Sequence, residues 1–367
     1  MTQVVREPFS QNVAKPDAAV RIARLMNIEN FEPYFGDVRS MLRQASSVLG
    51  RWQNNDISFV NSNNLANTFV SVLKSGFESY LGEPVYLNGR PMSFPAFHGA
   101  WRNGSPDLQV IQVEGGSIAL APDSPIVFDC EHNVIEDFST KYARLISYYD
   151  FSLDEKLRTA TKLEGTVLSI IDDVFGLNYC HWISDWITRL APFTSMLSRP
   201  DFKVLVSPII TEWQIRSLEI VGVSRNRIVA LEPWQAVSAD NLFVLSDISN
   251  IMHPAQKGAD WAMDFFAKNI VERVLNASKT PTNAKRKLYI SRSDASGRRI
   301  ANEEELLGRL MPLGYEAIAL SNYTFDEQVK LFSNSSHVVG IHGAGLTNVV
   351  FCQPNSSIIE ILPCLSG

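Results

Sequence analysis

The four cysteines of this 367-residue chain (Cys130, Cys180, Cys352 and Cys364) are too few and too scattered for a disulfide framework. None stands in a Cys-x-x-Cys pair of the kind that binds zinc. Reduced thiols and a cytoplasmic protein are the expectation. The stretch MTQVVREPFSQNVAKPDAAV lacks the apolar core of a secretory signal. A run of about 18 apolar residues is also missing, so no membrane span is expected. Basic residues are not in excess. The formal net charge is −6, and a nucleic-acid binder needs a cationic surplus to neutralise phosphates. Repeats and low-complexity tracts are absent. Neither G-x-G-x-x-G nor a P-loop lysine occurs, which removes the two commonest Gly-rich nucleotide signatures.

What is present is ordinary globular composition, 45% hydrophobic and 20% charged, in a chain long enough for two domains. Residues 18–26, 37–49 and 65–81 carry apolar side chains at helical spacing. Between 84 and 130 the texture changes to short apolar pieces split by Asn-Gly, Gly-Gly and Pro-Asp, which predict hairpin strands. Residues 136–157 read as mostly helical. From about 165 strand and helix alternate. Strands are predicted at 166–171, 202–206, 227–231 and 242–245, and helices at 179–197, 212–221 and 254–275. A polar, basic, proline-containing stretch at 278–287 reads as a linker. The alternation then restarts, with strands at 287–290, 316–320, 338–341 and 358–362 and helices at 302–310 and 325–332. Such alternation predicts an α/β protein with parallel sheets. Three parts are expected: an N-terminal helical and β-hairpin extension over 1–95, a lobe over 96–277, and a Rossmann-like lobe over 278–367. The last strand ends close to Gly367 where a closing helix is common, so a truncated C-terminus is expected.

The candidate site residues fall in three blocks. In the first, Val338, Val339 and Ile341 lead into His342-Gly343-Ala344-Gly345-Leu346-Thr347-Asn348. Two glycines one residue apart allow a tight turn and close ligand approach. A following helix start would aim N–H groups at an anion. In the second, Tyr289-Ile290-Ser291-Arg292 runs off a strand, and Arg298 and Arg299 follow in the same loop. Guanidinium forks suit diphosphate oxygens. In the third, Asn178 caps a helix on which His181 and Asp185 are four apart and share a face. A carboxylate beside an imidazole orients it as a general base. Trp182 and Trp186, on the adjacent face, are either core or a sugar platform. Glu360, inside an apolar strand, needs a partner or a ligand hydroxyl. Gln328 either faces a ligand or is solvated. Thr324 and Asn302 are expected to cap helices.

Taken together these blocks resemble glycosyltransferase family 61, which includes plant xylan-decorating enzymes, animal O-linked GlcNAc transferases and many bacterial polysaccharide enzymes. The resemblance rests on Asn178-Tyr179-Cys180-His181-Trp182 with Asp185, on Tyr289–Arg292 with Arg298-Arg299 and Asn302-Glu303, and on Gln328–Phe332 leading to Val339–Asn348. It covers roughly residues 100–362. Cys180 stands where an aromatic residue is more usual in the family. The resemblance implies a GT-B fold, two Rossmann-like lobes with a cleft between them. It implies an inverting transferase without a metal or cofactor, and the chain has no Asp-x-Asp. The donor would be a nucleotide sugar, UDP-linked, and the acceptor a glycan hydroxyl of a growing surface polysaccharide. The enzyme would work at the inner face of the membrane, attached peripherally at most. His181 or Asp185 would deprotonate the acceptor. Arg292, Arg298, Arg299, His342, the turn Gly343–Asn348 and Glu360 would hold the donor. A non-catalytic nucleotide-binding protein or a dinucleotide-dependent oxidoreductase is the alternative. No carboxylate pair suggests a glycosidase.

Overall fold

The computed structural model describes residues 108–120, 125–135, 138–139, 159–171, 178–232, 235–246, 260–278, 285–295 and 297–362, together with the backbone of short strands at 59–60, 68–74, 86–87 and 90–91. The expected helices at 18–26 and 37–49, nearly all of 136–157, the start of the 254–275 helix and most of the linker lie outside these residues.

The strands are β1 (Phe59–Val60), β2 (Thr68–Lys74), β3 (Tyr86–Leu87), β4 (Arg90–Pro91), β5 (Leu108–Glu114), β6 (Ser117–Leu120), β7 (Pro125–Phe128), β8 (Val134–Ile135), β9 (Thr161–Ser169), β10 (Phe202–Val206), β11 (Ile228–Ala230) and β12 (Ala236–Leu245) in the first part. The second part holds β13 (Arg286–Ser291), β14 (Tyr315–Ala319), β15 (Ser335–Ile341) and β16 (Ser357–Ile361). Helices are α1 (Tyr179–His181), α2 (Glu212–Val221), α3 (Asp260–Phe266), α4 (Glu272–Ser278), α5 (Glu303–Leu310) and α6 (Phe325–Ser333). The α/β class follows directly, because parallel strands alternate with helices in both parts.

The first sheet runs β1-β8-β7-β6-β12-β9-β10-β11, with β5 beside β12 and β2 beside β5. Strands β12, β9, β10 and β11 are mutually parallel, whereas β5 and β6 run antiparallel to β12. The second sheet is four parallel strands in the order β14-β13-β15-β16.

Several local expectations change in three dimensions. The helix expected over 65–81 is replaced by β2, which pairs antiparallel with β5. Its Thr-Phe-Val-Ser-Val core is rich in β-branched and aromatic residues, which a pleated sheet favours over a helix. The expected turn between β5 and β6 is instead a two-residue interruption in one continuous edge, with the register against β12 unchanged. Leu245 to Asn241 pair with Val110 to Glu114, and Ser238 to Ala236 continue with Ser117 to Ala119. Gly115 takes φ +65° there, and its N–H donates to the Asp240 carbonyl at 3.0 Å. Hairpins do form between β3 and β4 and between β6 and β7.

The segment expected as one helix over 179–197 is three. After α1 come a π-helical turn, Trp182–Trp186, and a 3-10 stretch, Ile187–Phe193. The cause is local. Ser184 Oγ donates to the Cys180 carbonyl at 2.8 Å and Thr188 Oγ1 to the Ser184 carbonyl at 2.6 Å, while Pro192 has no N–H to give. The long helix is likewise interrupted by a π turn, Ala267–Val271. Thr324 caps α6 in a capping box with Glu327. Asn302 precedes α5 as expected, but its side chain donates to Glu305 Oε2 at 3.1 Å rather than capping.

The two sheets share one hydrophobic core. Trp213 of α2 stacks on Phe325 of α6 at a 6.4 Å centroid distance. Phe351 packs edge-on against both Phe266 of α3 and Phe325. Outside this aromatic seam, Arg216 makes a bidentate pair with Asp326, at 2.9 and 2.8 Å. Trp182 and Trp186 are each 1% exposed and belong to this core, so they are not a sugar platform.

Candidate active site

Parallel register builds the first half of the site. Ile290 of β13 pairs with Gly340 of β15, so Arg292 and Gly343 emerge beside each other at the carboxyl ends of adjacent strands. This is where open α/β sheets bind ligands. A β-carbon on Gly343 would collide with the Arg292 guanidinium. Gly343 itself is extended, so its smallness matters and its backbone freedom does not. Arg292 Nε and Nη2 donate to the Gly297 carbonyl at 3.3 and 3.2 Å, which folds the arginine loop under its head group. Burial and the charge of Arg298 both push the Arg292 pKa down. Two guanidinium groups close enough to repel are a natural seat for an anion.

Arg298 sits at φ 53° and is exposed. Arg299 is spent on the loop, donating to the Ala295 and Ser293 carbonyls. Glu303 opens α5 and accepts from Tyr289 Oη at 2.8 Å and Ser291 Oγ at 2.9 Å. It thereby secures the strand end that carries Arg292.

Past Gly343 the chain forms a 3-10 helix, Ala344–Phe351, in place of the α-helix expected there. Small residues let it lie close over the sheet: a β-carbon on Gly345 would come within 2.9 Å of Leu320 Cδ1. Leu346 is buried and Thr347 half-buried. Asn348, expected to hold donor, is wholly buried, and protein groups use its amide. Its Nδ2 donates to the Gly345 carbonyl at 3.0 Å and to Gln328 Oε1 at 3.1 Å. Gln328, expected to face ligand or solvent, is buried and donates to the Leu320 and Tyr323 carbonyls. His342 Nδ1 and Glu360 Oε1 are 2.8 Å apart at the rim, which gives the strand carboxylate its partner.

The second half is the start of the 179–193 segment. Asn178 caps α1 as expected, accepting from the Cys180 N–H at 2.9 Å. His181 Nδ1 lies 2.7 Å from Asp185 Oδ2, the imidazole side chain 51% exposed and the carboxylate 6%. Ser184 Oγ lies 2.8 Å from the other carboxylate oxygen and shares its one proton between that oxygen and the Cys180 carbonyl. An ionised Asp185 holds the proton on Nδ1 and so leaves the lone pair on Nε2, the tautomer that a base requires.

The halves touch. Tyr179 Oη donates to Asn348 Oδ1 at 2.6 Å, and the Cys180 thiol hydrogen-bonds with Thr347. The segments that carry the His–Asp pair and the Gly-rich turn, with Asp185 and Gly343 158 positions apart in the chain, are thus in direct contact. No individual role for Tyr179 is legible in the sequence, because nothing in its spacing reveals a partner 169 residues away. Among the described residues no group of three or more His, Cys, Asp or Glu side chains is placed to share a metal ion. No helix among them is long and apolar enough to cross a membrane.

The sequence profile of the family described as Glycosyltransferase 61 matches residues 179–359. EGF domain-specific O-linked N-acetylglucosamine transferase of Gallus gallus is 26% identical over 104 residues, 27% of this chain and 19% of the relative. Protein O-linked-mannose beta-1,4-N-acetylglucosaminyltransferase 2 of Homo sapiens is 32% identical over 101 residues, 27% of this chain and 17% of the relative. The chain spans about a fifth of the length of the curated relatives it matches. Arg292 beside Gly343 and His181 beside Asp185 both lie inside the stretch, residues 179–359, that is similar to glycosyltransferase family 61.

Proposed function

We propose that this protein transfers a sugar from a nucleotide-sugar donor to a hydroxyl of a glycan or glycoprotein acceptor. The observation that carries the reading is the joining of a base pair, His181–Asp185, to a phosphate-sized turn, Arg292–Gly343, through Tyr179 and Asn348. The acceptor oxygen attacks the anomeric carbon, and its proton passes to His181 Nε2. The bond from that carbon to the diphosphate oxygen breaks with its electron pair on the diphosphate. Asp185 stabilises the imidazolium, and Arg292, Arg298 and the main-chain N–H groups of 343–347 stabilise the departing charge. His342, paired with Glu360, lies at the rim of the same turn and is assigned to the donor sugar or phosphate. Attack from the face opposite the leaving group inverts the anomeric centre.

In this reading the sheet of β13–β16 is the donor side and the sheet of β5–β12 the acceptor side of a GT-B-like enzyme. Charge neutralisation by arginines makes a metal dispensable. A UDP-linked donor and a surface polysaccharide acceptor, with work at the cytosolic face of a membrane, complete the proposal. The relatives are both named for N-acetylglucosamine transfer, so that sugar heads the donors to try.

The test is a thermal-shift screen of nucleotide sugars, followed by hydrolysis and transfer assays with wild type, His181→Ala and Arg292→Ala. A true donor raises the melting temperature, since it binds only the native state. Arg292→Ala should lose donor binding, and His181→Ala should keep binding but lose transfer. If no nucleotide sugar binds, or both variants match wild type, the proposal fails. Donor binding without hydrolysis or transfer would mark a nucleotide-binding protein instead.

A further inference from the structure

We infer that Tyr179 and Asn348 are positioning residues, whose partly buried hydrogen bond holds the His181–Asp185 pair in register with the phosphate-sized turn before a donor arrives. This rests on the site reading given above. The bond joins residues 169 apart in sequence at 2.6 Å. Its two ends are anchored differently. Tyr179 begins the helical turn that carries His181, so a shift of its ring moves the imidazole with it. Asn348 lies at 0% exposure in the 3-10 helix that follows Gly343. Its Nδ2 is tied to Gly345 and Gln328, and Gln328 is tied in turn to the carbonyls at both ends of the loop before α6.

Every polar atom of the Asn348 side chain is thereby used, which leaves none for a ligand. Burial pushes the Tyr179 phenol well above its ordinary pKa, so it remains a donor throughout the working range. That sets the polarity of the whole chain of bonds: the tyrosine donates, the amide oxygen accepts, and the amide nitrogen must face Gly345. The aromatic seam alone would press the two surfaces together without fixing how far one slides on the other. A directional bond in a low-dielectric interior supplies that register. Register matters because a misplacement of about 1 Å at a reacting centre can cost roughly a hundredfold in rate.

Tyr179→Phe is the decisive variant, since it removes one oxygen and keeps the ring packed on Trp213, 5.0 Å away. The expected result is a fall of about tenfold or more in kcat with donor KM changed by less than about threefold. Because both residues act through one bond, adding Tyr179→Phe to Asn348→Ser should cost no more than about twofold further. Amide hydrogen exchange gives a readout that needs no turnover: residues 179–186 and 344–351 should exchange faster in Tyr179→Phe while β9 and β13 stay protected. If wild type is active, His181→Ala is not, and Tyr179→Phe matches wild type in kcat per folded molecule, the positioning role is overturned and the transferase reading survives. Unchanged exchange overturns it as well, even in a chain that transfers no sugar. Faster exchange in a chain that transfers nothing supports the bond's role as a register lock and sinks the transferase reading instead.

Discussion

The Arg292 guanidinium occupies the space that a side chain on residue 343 would need. The two positions are 51 apart in sequence and meet because β13 and β15 are parallel neighbours ending at the same level. Glycine is therefore required at 343 by the arginine above it. Gly343→Ala should displace the tip of a flexible side chain, which is cheap for stability, and should leave the melting temperature almost unchanged. Donor affinity should suffer. A charge-assisted hydrogen bond contributes roughly 1.5–3 kcal/mol, so Kd measured by calorimetry should rise about tenfold to a hundredfold.

Asp185→Asn separates orientation from binding. The amide keeps the size of the carboxylate but cannot stabilise an imidazolium. Transfer should fall by about a hundredfold or more while donor Kd is unchanged. The sign of the pH effect is defined. In the proposed reaction His181 accepts the proton as neutral imidazole, so the rate should fall as acid protonates it. A neighbouring carboxylate favours that protonated form, so its removal should shift the acid limb of kcat/KM to lower pH. An unmoved limb would remove Asp185 from the proton transfer.

Phe351 tests the seam between the sheets. Its ring is 1% exposed and meets Phe266 at 5.9 Å and Phe325 at 5.8 Å. Truncating such a ring costs about 3–5 kcal/mol. Phe351→Ala should lower the denaturant midpoint accordingly, and intrinsic fluorescence from Trp213, which stacks on Phe325, should follow the same transition.

Thiol reactivity should be ordered. Burial pushes the Cys352 thiol up to about 12. At pH 8 only about one molecule in ten thousand then carries the reactive thiolate. Cys180 is also raised, by burial first and then by the charge of Asp185. Cys130 is exposed. Iodoacetamide at pH 8, read by mass spectrometry, should modify Cys130 well before Cys180, and Cys352 only on unfolding.

Glu316 gives a stability effect with a predictable sign. The Arg286 guanidinium holds its carboxyl below the usual carboxylate range. The pair therefore stabilises the fold above the unfolded carboxylate pKa, and the benefit disappears as pH falls through the lowered native value. Both side chains are substantially exposed, so the contribution is below about 1 kcal/mol. Glu316→Gln should be slightly less stable than wild type at pH 7, and the difference should vanish as pH is lowered through the native value, by denaturant titration.

Much of the fold was legible from local signals. The α2 helix, 212–221, and the parallel strands β10, β13, β14 and β15 lie where apolar runs and helical spacing place them, because those signals need only neighbours in sequence. The capping residues Asn178 and Thr324 were legible for the same reason. The errors have a common cause. Residues 68–74 have helical spacing of apolar side chains, but β5 offers them a partner strand, and that pairing decides. The Gly115-Gly116 pair reads as a hairpin turn, yet β12 continues alongside and keeps both sides of it in one register.

The site divides in the same way. The residue types and order of His181, Asp185, Arg292 and Gly343 are properties of the sequence, since an imidazole with a carboxylate four residues on, a strand-end arginine and a tight turn are each local patterns. Which of them meet is not. Asn348 looked like a donor ligand and is a buried tie. Gln328 looked either ligand-facing or solvated and is part of the same tie. Glu360 is the partner of His342. The Tyr179–Asn348 bond joins groups 169 positions apart, which meet only when the two sheets close around their shared aromatic core, and His342 meets Glu360, 18 positions on, only because β15 and β16 pair. The amino-acid order determined which chemical groups this protein owns, because side-chain chemistry and short-range periodicity are written locally. Tertiary packing alone decided which groups face a ligand and which face each other, because burial and long-range hydrogen bonding exist only in the assembled fold.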